Sequence, residues 1–348
     1  MKYVKLGNTG MDVSRICFGA MGFGKAEGWS HNAWAIDEGD ALPLVKKALE
    51  KGVNFFDTAE VYANGISEQI LGKALKEFGN RDELVVATKA FPATSSKFSS
   101  GNGGGASRKA LMSKIDRSLK NLGMDYVDLY ILHRWDYGTP VEETMEAFND
   151  IIKSGKVRYI GASAMLANQF QKAQYTADKH GFTQFVSMQN HYNLIYREEE
   201  REMMQILADQ NVASTPYSPL ASGRLTRDTG TETNRSANDI IQTAKYASTE
   251  AVDKVIIERV AEIALKRGIL RSQVALAWLL HKAVVASPVV GITKQSHITD
   301  AVGAVDVALS SEEIAYLEEP YVPHRLTGPL MPEPNWIHAV QVSPPAPR

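Results

Sequence analysis

The chain lacks several features that mark whole protein classes. It has 348 residues and a single cysteine, Cys17. That excludes an internal disulfide and a multi-cysteine metal site, and it suits a reducing compartment. Cys17 sits in the apolar run Ile16-Cys17-Phe18-Gly19 and reads as a small core residue. No run of about 18 apolar residues exists, so no span of a membrane is expected. The start, Met1-Lys2-Tyr3-Val4-Lys5, has no signal-peptide core, so the expected location is cytoplasmic. Net charge is also missing: 38 basic and 40 acidic residues leave a formal charge of −2. No basic face therefore argues for nucleic acid or an anionic membrane. The sequence has no H-x-H pair, and the ionisable residues at its strand ends lack the clustered carboxylates of a metal hydrolase, so no metal is expected.

One further absence separates two fold classes. A doubly wound sheet that binds a dinucleotide places G-x-G-x-x-G after its first strand. The only comparable cluster, Gly101-Asn102-Gly103-Gly104-Gly105, ends in Ala106 and precedes a helix, so it reads as a surface loop.

What is present has a regular rhythm. Tyr3-Val4-Lys5 and Val13-Ser14-Arg15 flank turn residues Gly7-Asn8-Thr9-Gly10, a hairpin pattern. Short apolar runs then start near residues 16, 53, 84, 127, 157, 184, 212 and 286, and helical periodicity follows each. Eight strand–helix units predict an α/β fold, a (β/α)8 TIM barrel with an N-terminal β-hairpin and a long C-terminal loop. We expect one domain over 1–348, with its barrel core at about 16–305 and a C-terminal helix and tail over 306–348. Asp40 is a candidate helix cap, and Thr139-Pro140-Val141-Glu142 and Ser310-Ser311-Glu312-Glu313 read as capping boxes. The charged run Arg197 to Glu202 reads as a solvated helix face, and the polar segment 222–250 interrupts the rhythm.

In such a barrel the active site lies at the C-terminal strand ends. Asp57 ends the strand 53–56, and Tyr62 follows in the loop. Lys89 ends the strand Leu84 to Thr88, and His133 ends the strand Val127 to Leu132. Each has an ordinary reading alone, as a cap, a solvated cation or a core histidine. Three successive strand ends converge in space, however. A phenol with an ordinary pKa of about 10 is a poor acid at neutral pH. A neighbouring ammonium would lower that value, and a carboxylate would hold the ammonium. A histidine could donate to a substrate oxygen. The set suits protonation of a carbonyl oxygen while another group delivers hydride.

These residues lie in motifs that resemble the aldo-keto reductases. The motifs are the N-terminal hairpin, Phe56-Asp57-Thr58-Ala59-x-x-Tyr62 with Gly65-x-Ser67-Glu68, Thr88-Lys89, Leu132-His133, Gly161-x-Ser163, Gln189-Asn190, Tyr217-Ser218-Pro219-Leu220 and Gly291-x-Thr293-Lys294. They fall in family order over roughly residues 1–320. His133-Arg134-Trp135-Asp136-Tyr137 and the run Leu317 to His324 resemble a bacterial and fungal branch. That branch includes versiconal hemiacetal acetate reductase-like and deoxyxylulose-phosphate-linked proteins.

The resemblance implies roles. Tyr62 is the general acid, Lys89 and Asp57 tune it, and His133 orients the carbonyl. NADPH/NADP+ is the implied cofactor. Ser163 and Gln189 would hold its carboxamide, and Tyr217 would stack on its nicotinamide. Ser218, Leu220, Gly223 and Arg224 would hold the pyrophosphate. Gly291, Thr293, Lys294 and His297 would lie at the adenosine 2′-phosphate, where a cation pairs the extra charge. Ala164 and Ala301 stand where the family commonly has asparagine, so those side-chain contacts are missing. Phe23, Trp29, Trp34, Phe91 and Trp135, with Trp336 in the tail, are candidate substrate-pocket walls. The implied partner is a small carbonyl compound, and the implied assembly is a monomer or small homo-oligomer. Two other readings stay open. One is a cofactor-holding subunit like the channel β-subunits, which would bind NADPH without turnover. The other is sugar-phosphate chemistry without net redox, for which Arg134 is a candidate contact.

Overall fold

The computed structural model describes residues 1–90, 102–239 and 245–327. Strands β1 (Tyr3–Lys5) and β2 (Asp12–Ser14) pair antiparallel as the predicted hairpin. Strands β3 (Cys17–Gly19), β4 (Phe55–Asp57), β5 (Val85–Ala90), β6 (Val127–Leu132), β7 (Val157–Ser163), β8 (Phe185–Gln189), β9 (Ala213–Ser214) and β10 (Val289–Gly291) form one parallel sheet. They pair in the order β10-β3-β4-β5-β6-β7-β8-β9. Backbone bonds from Ser214 N to Val284 O, from Ala286 N to Ser214 O and from Val289 N to Pro216 O connect the two outer ends. The sheet is thus a curled, eight-stranded parallel sheet, consistent with the (β/α)8 fold.

Helices α1 (Glu38–Glu50), α2 (Ile66–Phe78), α3 (Arg108–Leu122), α4 (Val141–Lys153), α5 (Ala167–His180), α6 (Met203–Asp209), α7 (Asn234–Asn238), α8 (Glu250–Arg267), α9 (Arg271–His281), α10 (Gln295–Gly303) and α11 (Ser311–Glu318) connect and follow the strands. No helix among the described residues is long and apolar enough to cross a membrane.

Strand periodicity of two decides which side chains face inward. Cys17, Phe55, Val85, Ala87, Leu129 and Ile131 form an inner cluster with Leu6 and Val13 of the hairpin. Phe18, Phe56, Val86, Tyr130 and Leu132 belong to the outer core under the helices. Continuing the inner alternation by one step gives Asp57 on β4 and Lys89 on β5. Both therefore sit inside, above the apolar plug, at the C-terminal end.

Several local expectations change. Helix α1 starts at Glu38 after an extended Asp37, and Asp40 lies in its first turn. The box at Thr139 does not form. Thr139 Oγ1 instead donates to Asp136 Oδ2 (2.7 Å), and Pro140 flanks Val141 without a side-chain cap. The box at Ser310 does form, with Ser310 N donating to Glu313 Oε2 and Glu313 N to Ser310 Oγ. The charged run 197–202 is solvated only in part: Arg201 and Glu202 are exposed, but two of its glutamates are not. Glu198 and Glu199 are both 7% exposed, and Tyr321 Oη and His324 N donate to Glu198 from the segment that follows the last helix. Burial pushes the Glu199 carboxyl up to about 7, with Asn190 opposing by hydrogen bond. Residues 321–327 have no regular structure. His324 Nε2 lies 2.8 Å from Asp253 Oδ1, and both side chains are buried.

Candidate active site

The loop that presents Tyr62 is held from below. Thr58 Oγ1 and Ser67 Oγ lie 2.9 Å apart, and Ser67 donates to Ala20 O. Thr88 Oγ1 and Asn121 Nδ2 donate to the two oxygens of buried Glu68. Glu60 pairs with Lys114 at 2.8 Å, both nearly inaccessible. Gly65 has φ +92, and a Cβ there would meet Asn121 Nδ2 at 2.6 Å. Only glycine fits that turn without strain. The Gly65-x-Ser67-Glu68 motif is therefore the support of the Tyr62 loop.

Lys89 Nζ donates to Asp57 Oδ1 (2.5 Å) and Thr58 O (2.8 Å), and it reaches Tyr62 Oη at 3.4 Å. Gln189 Nε2 donates to the other Asp57 oxygen at 3.0 Å. Ser163 Oγ donates to Gln189 O at 2.8 Å. A continuous chain thus runs from Ser163 on β7 through Gln189 on β8 and Asp57 on β4 to Lys89 on β5 and Tyr62. The rings of His133 and Tyr62 meet edge to face, with centroids 5.9 Å apart.

The electrostatics correct one expectation. The Tyr62 phenol is raised above 10, not lowered. Burial is the largest cause, and the Lys89 charge only partly offsets it. A phenolate loses its hydration in this pocket, and one ammonium does not replace that hydration. For Lys89, burial works to lower the value, but Asp57 and Tyr62 together win and raise it. Burial first, and then the cations Lys89, Arg134 and Lys114, hold the His133 imidazole well below its usual value. The site thus pairs a neutral phenol and a neutral imidazole with a fixed ammonium. It can donate a proton from Tyr62 to a developing oxyanion and leave a phenolate beside Lys89.

These groups line the end of a cavity of about 1620 Å³ that continues past Tyr217 to Lys294 and Ala301. Asp57, Tyr62, His133, Ser163, Gln189, Tyr217, Ser218, Leu220, Gly223, Gly291, Lys294, His297 and Trp29 all lie on its wall. Lys89 lies behind Tyr62 and Asp57, fully buried. Ala164 has φ +43, a region asparagine tolerates better than alanine. Ala301 is buried and offers no polar group.

Other predicted residues lie elsewhere. Phe23 is a core ring packed edge-on against Phe18 at 5.6 Å, since an apolar ring gains most by full burial. Trp135 packs against the outer core. Trp34 is off the wall but supports it, with His31 at 4.8 Å on its ring and the Arg235 guanidinium at 4.4 Å. Arg224 turns to the Tyr246 ring and lies 3.9 Å from Glu250. Thr293 is also off the wall, and its backbone N–H points at His297 Nδ1. Phe91 and Trp336 lie outside the described residues.

The sequence reading missed a set of titratable wall residues: His31, Arg227, Arg235, Asp239, Lys245 and Arg271. Four of them come from the polar segment 222–250. Its cations in an otherwise interrupted rhythm were the available signal. His191 was also missed. It stacks between Tyr196 (4.0 Å) and Tyr217 (5.3 Å) and lies 2.7 Å from Tyr246 Oη.

Comparison with known proteins agrees with this geometry. The model of the Aldo/keto reductase family matches residues 15–321. The chain is 42% identical over 343 residues to versiconal hemiacetal acetate reductase of Aspergillus parasiticus, covering 93% of this chain and 98% of that protein. It is 43% identical to aldo-keto reductase dtxS3 of Metarhizium robertsii, with 94% and 92% covered. It is 38% identical to the putative aryl-alcohol dehydrogenase AAD16 of Saccharomyces cerevisiae, with 93% and 98% covered.

Proposed function

The chain belongs to the aldo/keto reductase family, and on that premise we propose that it is an NADPH-dependent carbonyl reductase in which Tyr62 is the general acid. The observation that carries this reading is the buried Asp57–Lys89–Tyr62 chain at the end of a long cavity. Relatives named as a reductase and as a putative alcohol dehydrogenase support the reaction class.

The wall residues fit a phosphorylated dinucleotide. The cavity exceeds the roughly 300–1,000 Å³ of ordinary small-ligand pockets. Arg227, Arg271 and Lys294 lie along it. Arg271 pairs with Asp228 through Nη2 at 2.7 Å, and its buried Nη1 has no hydrogen-bond partner among the described residues, which leaves one donor for an anion. Lys294 supplies the charge for a 2′-phosphate, while burial holds nearby His297 below its usual value and largely neutral. Tyr217 offers a ring face backed by His191. Ser163 and Gln189 can meet a carboxamide with the polar atoms that their mutual bond and the Asp57 bond leave over. When bound, the cofactor supplies hydride.

The chain's own residues do the rest. Asp57 keeps Lys89 charged. Lys89 stabilises the phenolate that Tyr62 becomes after giving its proton to the carbonyl oxygen. Neutral His133 donates a hydrogen bond to that oxygen and orients it. We read the sheet as a closed (β/α)8 barrel in one domain and the protein as cytoplasmic, acting on a small-molecule carbonyl as a monomer or small homo-oligomer.

The test is steady-state NADPH oxidation with an aromatic aldehyde panel, run with NADH in parallel. Tyr62→Phe is expected to lower kcat by about 10²–10⁴-fold, with NADPH still bound. Tight NADPH binding without turnover of any carbonyl would sink the proposal and leave a cofactor-holding subunit.

A further inference from the structure

Asp253 and His324 are a buried pair with no task in the mechanism above. Asp253 stands in the first turn of α8, and His324 comes from the segment after α11. His324 places both ring nitrogens against acceptors. Nε2 lies 2.8 Å from Asp253 Oδ1, and Nδ1 meets the carbonyl oxygen of Val322. A carboxylate and a carbonyl oxygen can only accept, so both nitrogens carry hydrogen and the ring is an imidazolium. Its titration points the same way. Burial works to lower the value, but the Asp253 hydrogen bond and charge, with Val322 and Glu198, raise it.

Among the described residues, the other titratable groups that face the ring come from the 191–198 stretch and from its own segment. Glu198 accepts from the backbone N–H of His324 and from Tyr321 Oη, and it is bridged to Arg201 at 2.7 Å. Tyr321 stacks on the imidazole at 5.3 Å, and Tyr196 meets it edge-on at 6.3 Å. Arg197 lies on the Tyr321 ring and is itself paired with Glu200. Two carboxylates, Asp253 and Glu198, thus act on one imidazolium.

Two routes lead from this pair to the cavity. Asp253 Oδ2 accepts from Thr249 Oγ1 at 2.7 Å, and that hydroxyl lies 3.2 Å from Tyr246 O. Tyr246 Oη in turn lies 2.7 Å from His191 Nε2. On the second route Thr327 N donates to Tyr196 Oη at 3.2 Å, and the Tyr196 ring stacks on His191 at 4.0 Å. Both routes end at His191, which stacks on Tyr217 at the cavity wall. The charge reaches it too. Burial, and then the charges of Lys245 and His324, hold His191 well below its usual value.

Resting on the reading of Tyr217 as the ring that meets the nicotinamide, we propose that His324 is a positioning residue for the cofactor: as an imidazolium on Asp253 it fastens segment 321–327 behind the Tyr196–His191–Tyr217 stack and so sets the Tyr217 ring. Loss of its proton leaves a lone pair against an acceptor at one of the two nitrogens. That contact breaks, the segment loosens, and Tyr217 loses part of its backing. The sign follows from the raised value. The fastening is full below about pH 6.5 and is lost as the pH rises through the higher folded value.

The experiment measures the NADPH dissociation constant by fluorescence between about pH 6 and about pH 9.5, for the wild type and for His324→Gln. Glutamine cannot become a cation. The ratio of the two constants at each pH removes the titration of the cofactor's own phosphate. At low pH the variant is expected to bind about tenfold more weakly, the scale of one charge-assisted hydrogen bond. Above the His324 titration the ratio is expected to approach one. A ratio that stays constant with pH overturns the proposal, because a purely structural role gives that result.

Two further readouts use the wild type alone. By NMR the His324 ring is expected to titrate above about pH 6.5. Exchange of the His324 and Thr327 backbone amides is expected to accelerate through that same titration, beyond its intrinsic rise with pH. A ring already neutral at about pH 6 overturns the proposal, as does amide exchange indifferent to the titration. Failure of the reductase reading looks different. NADPH then binds neither protein at any pH and the cofactor role falls with that reading, whereas the ring and the two amides still report whether the segment is fastened.

Discussion

Asp57→Asn isolates the central charge pair. Asp57 is 2% exposed and Lys89 fully buried, with 2.5 Å between Oδ1 and Nζ. At an effective dielectric of about 20, two unit charges at that distance attract by about 7 kcal/mol before the cost of desolvation. Asparagine keeps the shape and can still turn an oxygen to Gln189 or Lys89, but the charge is gone. Lys89 is left as a buried, uncompensated cation, which costs about 3–5 kcal/mol of stability. Adding Lys89→Met removes the orphaned charge, so the double variant should be more stable than Asp57→Asn alone.

The same change acts on catalysis. Lys89 is held above its ordinary value in the wild type although burial pulls it down. Its contribution to stability is therefore full below about pH 10.5 and is lost only as the pH rises through the elevated folded value. Without Asp57, burial wins and the ammonium deprotonates at lower pH. The alkaline limb of kcat should move down, and kcat should fall by at least about 10²-fold. Urea unfolding followed by tryptophan fluorescence, with kcat across pH, reads both effects. A loss under about 1 kcal/mol, or a double variant less stable than the single one, would refute the reasoning.

Two further perturbations test the packing and the buried acid. Glu199 is raised to about 7 by burial, so the folded state binds its proton more tightly than the unfolded chain does. Stability therefore falls as the pH rises from about 4.5 to 7 and stays lower above that. Glu199→Gln should remove this slope and raise stability at pH 8 by about 3 kcal/mol; an unchanged slope in urea unfolding counts against it. Gly72 lies where α2 meets α3, and a Cβ there would stand 2.1 Å from Leu122 O. Backbone cannot rotate away, so Gly72→Ala should destabilise by about 1–3 kcal/mol, despite a helix-propensity gain of about 1 kcal/mol. Equal or greater stability in the same assay would show that α3 can shift freely.

Much of the site was legible in local pattern. Strand-length apolar runs place Asp57 and Lys89 on β4 and β5 and His133 just past β6, and period-two alternation points the first two inward. Tyr62 follows from its distance beyond β4. Other features were not legible because burial sums over the whole fold. Glu198 in the run Arg197 to Glu202 looks solvated until Tyr321 and His324 reach it from a distant part of the chain. Phe23 and Trp29 are both aromatic and close in sequence, yet one fills the core and the other faces the cavity. The capping patterns at Thr139 and Ser310 are alike on paper, but Asp136 draws Thr139 away.

The sequence by itself determined the strand–helix alternation, the convergence of Asp57, Tyr62, Lys89 and His133, and the family motifs, because hydrophobic period and residue spacing are local properties. Tertiary structure alone decided that Gln189 anchors Asp57, that burial raises the Tyr62 phenol despite Lys89, and that Lys245 comes to lie over the Tyr217 ring. Each of these depends on desolvation and on neighbours brought from distant parts of the chain.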